Sequence, residues 1–128
     1  MPWKILVVDD DPTVHKLIVK KLSPEQYRVE SVFDATTAIE EVGRHRPDLV
    51  ILDLMMPRVS GIEVCRQIKS DSKTKDILVL ILSAKESQSD RVKGLELGAD
   101  DYISKPFHLA SLARKIEYML GKKGEPTT

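Results

Sequence analysis

The chain has 128 residues, enough for one domain with a single substantial core. Its 20 basic and 20 acidic side chains cancel, and the short runs Lys20-Lys21 and Lys122-Lys123 read as solvated surface, so nothing argues for direct nucleic-acid binding. No stretch approaches the roughly 18 apolar residues of a membrane-spanning helix, and the start, Met1-Pro2-Trp3-Lys4, lacks the layout of a signal peptide.

Ile5-Leu6-Val7-Val8 is an unbroken apolar run ending in Asp9-Asp10, as expected of a strand buried on both faces of a parallel sheet. Asp11-Pro12 then supplies an N-cap acid and a proline suited to the first helical position. Val14, Leu17, Ile18 and Leu22 follow as one apolar stripe at helical spacing. Tyr27–Val32 alternates, which predicts a strand near an edge. Ala35–Arg46 predicts a helix through Ala38, Ile39 and Val42, stopped by Pro47. Leu49–Leu52 is a second buried run, ending in Asp53, and Gly61–Ser70 carries Ile62, Cys65 and Ile68 on one helical face. Ile77–Leu82 is a third run, ending in Ser83.

Asp90–Leu97 predicts a marginal helix, because its stripe is short and Gly94 costs about 1 kcal/mol relative to Ala. Marginal elements are where switching motion tends to reside. Tyr102-Ile103-Ser104 is a short strand, and Leu109, Leu112, Ile116 and Leu120 mark a final amphipathic helix. Residues 1–120 therefore read as one domain and 121–128, with Gly, Pro and nothing apolar to bury, as a flexible tail or the start of a linker. The single Cys65 cannot form an internal disulfide and reads as a packed thiol in a reducing compartment, so the cytoplasm is the expected location. His15, His45 and His108 lack metal-ligand spacing and read as solvated or packed.

Alternation of strand and helix five times over implies an open parallel sheet with helices on both faces. Ligands of such sheets bind beyond the carboxyl ends of the strands. Those ends carry Asp9, Asp10, Asp53 and Ser83, with Lys105 just past the fifth strand. Each alone has a bland explanation, but surface decoration would scatter such groups over both ends of the sheet. Two like charges about 4 Å apart repel by about 4 kcal/mol at an effective dielectric near 20. A hard divalent cation reverses that cost, which selects Mg²⁺ with Mn²⁺ as the alternative. Metal, ammonium and hydroxyl around a carboxylate make a phosphoryl-transfer site with an Asp as acceptor.

Val7-Val8-Asp9-Asp10, the stretch from Asp53-Leu54-Met55-Met56-Pro57 to Gly61, Leu82-Ser83-Ala84-Lys85, and Gly98 through Lys105-Pro106-Phe107 together resemble response-regulator receiver motifs. They occur in the family's order over roughly Lys4 to Leu120. The resemblance implies a flavodoxin-like doubly wound (βα)5 fold with strand order 2-1-3-4-5 and phosphoryl transfer from a phosphohistidine to Asp53. It implies that Asp10, Asp53 and the Met55 carbonyl ligate Mg²⁺, with Asp9 acting largely through water. Lys105 would pair with Asp53 and then with the phosphoryl group. Ser83 and the Ala84 N–H would bind phosphoryl oxygens, and the Lys105-Pro106 bond would be cis. Ser83 and Tyr102 would form a switch acting on the face of the fourth helix, fifth strand and last helix. Met55 and Lys85 fall where the family tunes phosphoryl lifetime. The implied partners are a sensor histidine kinase or histidine phosphotransfer protein, and a downstream protein or linked output domain outside these residues. Self-pairing through the switched face stays open.

Two rival readings differ in class. Asp9-Asp10-Asp11-Pro12-Thr13 also fits D-x-D-x-T, resembling haloacid-dehalogenase phosphatases, with Asp9 as nucleophile and Asp11 as acid. That family needs a longer core and further motifs, and Asp11 is better explained as an N-cap. The other rival, a phosphate-independent binding module, has no need of the full Asp, Ser and Lys set.

Overall fold

The structure, a computed structural model, describes residues 2–56, 60–84 and 88–124, with backbone only at 88–91. Pro57, Arg58, Val59, Lys85 and 125–128 lie outside the described residues, and with them the lifetime role expected of Lys85.

Five strands and five helices alternate: β1 Trp3–Val8, α1 Pro12–Lys21, β2 Tyr27–Val32, α2 Ala35–His45, β3 Leu49–Asp53, α3 Gly61–Ser70, β4 Leu78–Ala84, α4 Gln88–Glu96, β5 Asp101–Lys105 and α5 Leu109–Lys123. The strands form one parallel sheet in the order β2-β1-β3-β4-β5. This is the flavodoxin-like order expected from the motifs. Period-two alternation sends each apolar run to both faces. Leu6, Val8, Val50, Leu52, Val79 and Ile81 meet Ala38, Val42, Val64, Cys65 and Ile68 from α2 and α3 on one face. Ile5, Val7, Leu49, Ile51, Leu80 and Leu82 meet Ile18 of α1 and Leu112, Ile116 and Leu120 of α5 on the other. The three central strands are therefore apolar without interruption, whereas edge strand β2 exposes Arg28 and Glu30.

Local chemistry sets the ends. The Asp11 carboxylate accepts from the Thr13 N–H at 2.9 Å and caps α1, with Pro12 in its first turn. Asp34 and Ser60 cap α2 and α3 in the same way. Arg46 leaves α2 in the left-handed region at φ 47° just before Pro47.

Several expectations change. Leu17 is 41% exposed, and the fully packed neighbour of Val14 on α1 is His15 instead. β4 runs two residues past Leu82, so Ser83 and Ala84 are hydrogen-bonded strand residues in register with Ser104 and Lys105. The last helix continues through Gly121 to Lys123, three residues beyond the expected domain boundary. Asp100, an exposed loop residue, and Asp101, which opens β5, are both anchored. The Asp100 carboxylate accepts from the Val79 N–H at 2.8 Å and pairs with Lys69 at 2.9 Å. The Lys69 ammonium also donates to the Ile77 carbonyl at 2.7 Å, so one side chain ties α3 to both ends of the segment carrying β4. Asp101 begins β5 and pairs with Lys115 of α5 at 3.1 Å.

Candidate functional site

Because all five strands run parallel, their carboxyl ends share one edge of the sheet. β1 delivers Asp9 and Asp10, β3 ends on Asp53, β4 ends on Ser83 and Ala84, and β5 ends on Lys105. Carboxylate oxygens of Asp9, Asp10 and Asp53 lie within 4.8 Å of one another, and this is the acidic or histidine cluster of ligand geometry found among the described residues. Asp9 and Asp53 are buried and Asp10 is exposed, so the cluster opens to solvent on one side. His45 is engaged with Glu41 and His15 with backbone, apart from any such cluster.

The Lys105 ammonium stands 3.0 Å from Asp9 Oδ2 and 3.4 Å from Asp53 Oδ2. It is thus nearer to Asp9 than to Asp53, the partner expected from sequence. The Lys105-Pro106 peptide is cis. The Met55 N–H donates to Asp53 Oδ1 at 2.9 Å, while the Met55 side chain is exposed. Burial pushes the Asp53 carboxyl above the usual carboxylate range, and the Asp9 charge adds to this. The Met55 N–H and the Lys105 ammonium oppose the rise without cancelling it. Desolvation works against the charge on Lys105, but hydrogen bonding to Asp9 and the charges of Asp53 and Asp9 outweigh it and hold its pKa above the ordinary lysine value.

One ammonium faces three carboxylates, leaving an excess of negative charge at a half-enclosed site. All the side-chain donors are hard oxygens, which suits Mg²⁺ and does not suit a soft metal. The residues present therefore fit a divalent cation held by Asp9, Asp10 and Asp53. Beside them, Ser83 is fully buried, one residue past Leu82, the register partner of Asp53. Its hydroxyl has no hydrogen-bond partner among the described residues. A buried hydroxyl without a partner costs about 1–3 kcal/mol unless a ligand atom engages it. Ala84 follows it, half-buried, and Tyr102 lies on β5 with its side chain 38% exposed.

Two supports of the site carry weaker sequence signals. His15 Nε2 sits 2.6 Å from the Asp9 carbonyl oxygen; since a carbonyl only accepts, that nitrogen carries the proton and fixes the end of β1. Its signal was a histidine among the first-turn residues of an otherwise apolar helical face. Gly61 is the other. A Cβ there would lie 2.4 Å from the Asp53 carbonyl oxygen and 2.6 Å from Leu54 Cα, so only glycine lets α3 start against the end of β3.

A five-stranded parallel sheet in this order, with an acidic cluster, a lysine and a buried hydroxyl at its carboxyl edge, defines a receiver-type signalling domain. The family model for the response regulator receiver domain matches residues 5–117, and the chain belongs to that family, the receiver domain of two-component systems. Among relatives, it is 47% identical over 117 residues to response regulator MprA of Mycobacterium leprae, covering 91% of this chain and 50% of the relative. The corresponding figures for MprA of Mycobacterium sp. strain KMS are 46% over 120 residues, 94% and 51%. The chain thus spans about half the length of the curated relatives it matches. Response regulator DrrB of Thermotoga maritima, described as an OmpR/PhoB homologue, superposes with TM-score 0.84 at 33% identity, covering 96% of this chain and 54% of that one. A CheY-like receiver domain protein of Methanospirillum hungatei gives TM-score 0.87 at 25% identity, covering 95% and 96%.

The phosphatase reading of Asp9-x-Asp11 falls with this membership, and Asp11 is spent on capping α1. No helix among the described residues is long and apolar enough to cross a membrane.

Proposed function

We propose that Asp53 accepts a phosphoryl group from a phosphohistidine on a sensor histidine kinase or histidine phosphotransfer protein. A carboxylate oxygen of Asp53 forms the new P–O bond as the donor P–N bond breaks, and the leaving imidazole stays with the donor. The observation that carries this reading is the unpartnered, fully buried Ser83 hydroxyl beside a carboxylate already touched by an ammonium. Such an oxygen is suited to engage a phosphoryl group, and no described residue claims it. Lys105 neutralises charge that develops on the transferred oxygens, and the small Ala84 leaves its N–H approachable. Asp9, Asp10, Asp53 and the Met55 carbonyl are the groups that would hold Mg²⁺, which supplies charge neutralisation and orientation of the phosphoryl oxygens when bound. The domain assists its own phosphorylation and dephosphorylation and serves as a signalling acceptor.

Once Asp53 is modified, Ser83 and Tyr102 report it to the α4-β5-α5 face. Tyr102 starts from a partly exposed position, which leaves room for it to turn inward. The reading gives that face to a downstream protein, a linked output domain or a second copy, and places the exchange in the cytoplasm. Residues 1–120 are the receiver unit in this reading, with α5 extending it to Lys123.

Intact-protein mass after incubation with acetyl phosphate tests the reading. One phosphoryl adduct is expected on the wild type, dependent on Mg²⁺ and absent from Asp53→Asn. Ser83→Ala should slow its appearance by about tenfold to a hundredfold. No adduct on folded wild type, sampled fast enough to outrun hydrolysis, would leave a phosphate-independent binding module.

A further inference from the structure

The core takes up the Val14 and Ile18 side of α1, yet another side of the same helix is also partly apolar. Pro12, Lys16, Val19 and Lys20 recur at helical spacing and face Ser31 and Phe33 at the end of edge strand β2. Between them runs an open cleft of about 370 Å³. Val19 is 49% and Phe33 51% exposed, so neither serves the core. The floor is His15, whose ring meets the Phe33 ring with centroids 4.2 Å apart and a 42° tilt. His15 is 3% exposed, and its Nδ1 has no partner among the described residues. Nε2 carries the proton that goes to the Asp9 carbonyl, which leaves Nδ1 buried with no described partner.

We propose that this cleft between α1 and the end of β2 is a docking site for an amphipathic helical segment of a partner protein. The segment places a large apolar side chain between Val19 and Phe33 and sets carboxylates one turn apart against Lys16 and Lys20. Charge complementarity selects this occupant. The cleft's rim charges are ammonium groups four residues apart on one helix, a spacing of about one 5.4 Å turn, which a second helix matches with acids at the same interval. A small molecule fits less well, because such ligands are usually buried over about 70–90% of their surface and this cleft is open along its length. The inference stands apart from the phosphoacceptor reading, since none of the groups it uses is a phosphoryl or metal group.

Two synthetic helical peptides about four turns long test it, sharing a Trp and a Leu one turn apart and differing only in Glu or Lys flanks. Binding is followed by amide chemical shifts of the wild-type chain and of Phe33→Ala and Lys16→Glu/Lys20→Glu, each checked by thermal melt. The Glu-flanked peptide should shift the amides of Lys16, Val19, Ser31 and Phe33 saturably. Its affinity should fall about tenfold or more in both variants, and the charge-reversed chain should instead prefer the Lys-flanked peptide. Lys73→Glu/Lys122→Glu, distant in the fold, should leave binding unchanged. No saturable shift up to about 1 mM would overturn the proposal. So would shifts that map elsewhere, an undiminished affinity in Phe33→Ala, or equal response to both peptides. Binding of the chain to anionic vesicles that depends on Lys16 and Lys20, with no peptide preference, would replace it with a membrane-surface role.

Discussion

Asp53 carries a conflict between position and charge. Its carboxylate is almost wholly buried and shares Lys105 with Asp9, so ionisation inside the fold is harder than in the unfolded chain. A carboxyl whose pKa is raised by folding binds its proton more tightly in the native state. Its contribution to stability is full below the ordinary carboxylate value and is lost as pH rises through the raised one. Asparagine keeps the shape and removes the charge. Asp53→Asn should therefore melt about 3–6 °C above the wild type at pH 7, the span of about 1 kcal/mol in a chain of this size. The difference should shrink towards zero as pH falls below about 4. Millimolar Mg²⁺ at pH 7 should narrow the gap by raising the wild type alone. Melting curves of both proteins across this range check the expectation, and coincident curves at pH 7 would show that Asp53 carries no such penalty. The place of Asp53 in the carboxylate cluster was readable from sequence because a strand end fixes where its side chain emerges. The sharing of Lys105 was not, since which of two neighbouring carboxylates an ammonium prefers depends on a few tenths of an ångström.

At the scale of elements, α4 is the piece that sequence and structure weigh differently. By helix propensity Gly94 is a defect, and Val92 and Leu95 stay substantially exposed, as a weak stripe predicts. Packing gives the glycine its purpose. A Cβ at Gly94 would stand 2.4 Å from Ile81 Cδ1, so the backbone of α4 rests directly on the Ile81 side chain of β4. Overpacking costs about 1–3 kcal/mol and exceeds the gain in helix propensity of about 1 kcal/mol, because Ile81 is fully buried and has nowhere to turn. Gly94→Ala should thus lower stability in a denaturant melt. Ile81→Val, which removes the offending methyl, should make the same Gly→Ala change neutral or stabilising. Additive losses in the double mutant would contradict this contact. Other elements were legible for the opposite reason. The runs in β1, β3 and β4 are apolar on both faces, and no other secondary structure accommodates so short a two-sided run between capped helices. Leu17 was misjudged because hydrophobic spacing alone cannot tell that His15, with its hydrogen bond to Asp9, occupies the adjoining inward position.

For the whole molecule, the order of the sheet gathers four separated strand ends, those of β1, β3, β4 and β5, at one edge, where the motif residues meet. What motifs could not supply are the ties that span the fold. Lys69 bonded to the Ile77 carbonyl and Asp100, and Lys123 donating to the Asp48 carbonyl at 3.2 Å, join segments far apart in sequence through geometry that no local pattern encodes. One feature of the packing also makes the protein its own instrument. The sole cysteine, Cys65, is fully buried in α3 with its sulfur 3.9 Å from the Gly94 carbonyl, and burial pushes its thiol up, away from the reactive thiolate. A maleimide can reach it only when α4 lifts or the domain opens, so the alkylation rate is a clock for that motion. At pH 7.5 the native chain should react at no more than about a thousandth of the rate in denaturant, an opening free energy of about 4 kcal/mol. Gly94→Ala should quicken the clock, and alkylation of the native wild type at the denatured rate would mean the cover is open at rest. Run with and without acetyl phosphate, the same reaction tests whether phosphorylation loosens α4, using no label beyond the one the chain already carries.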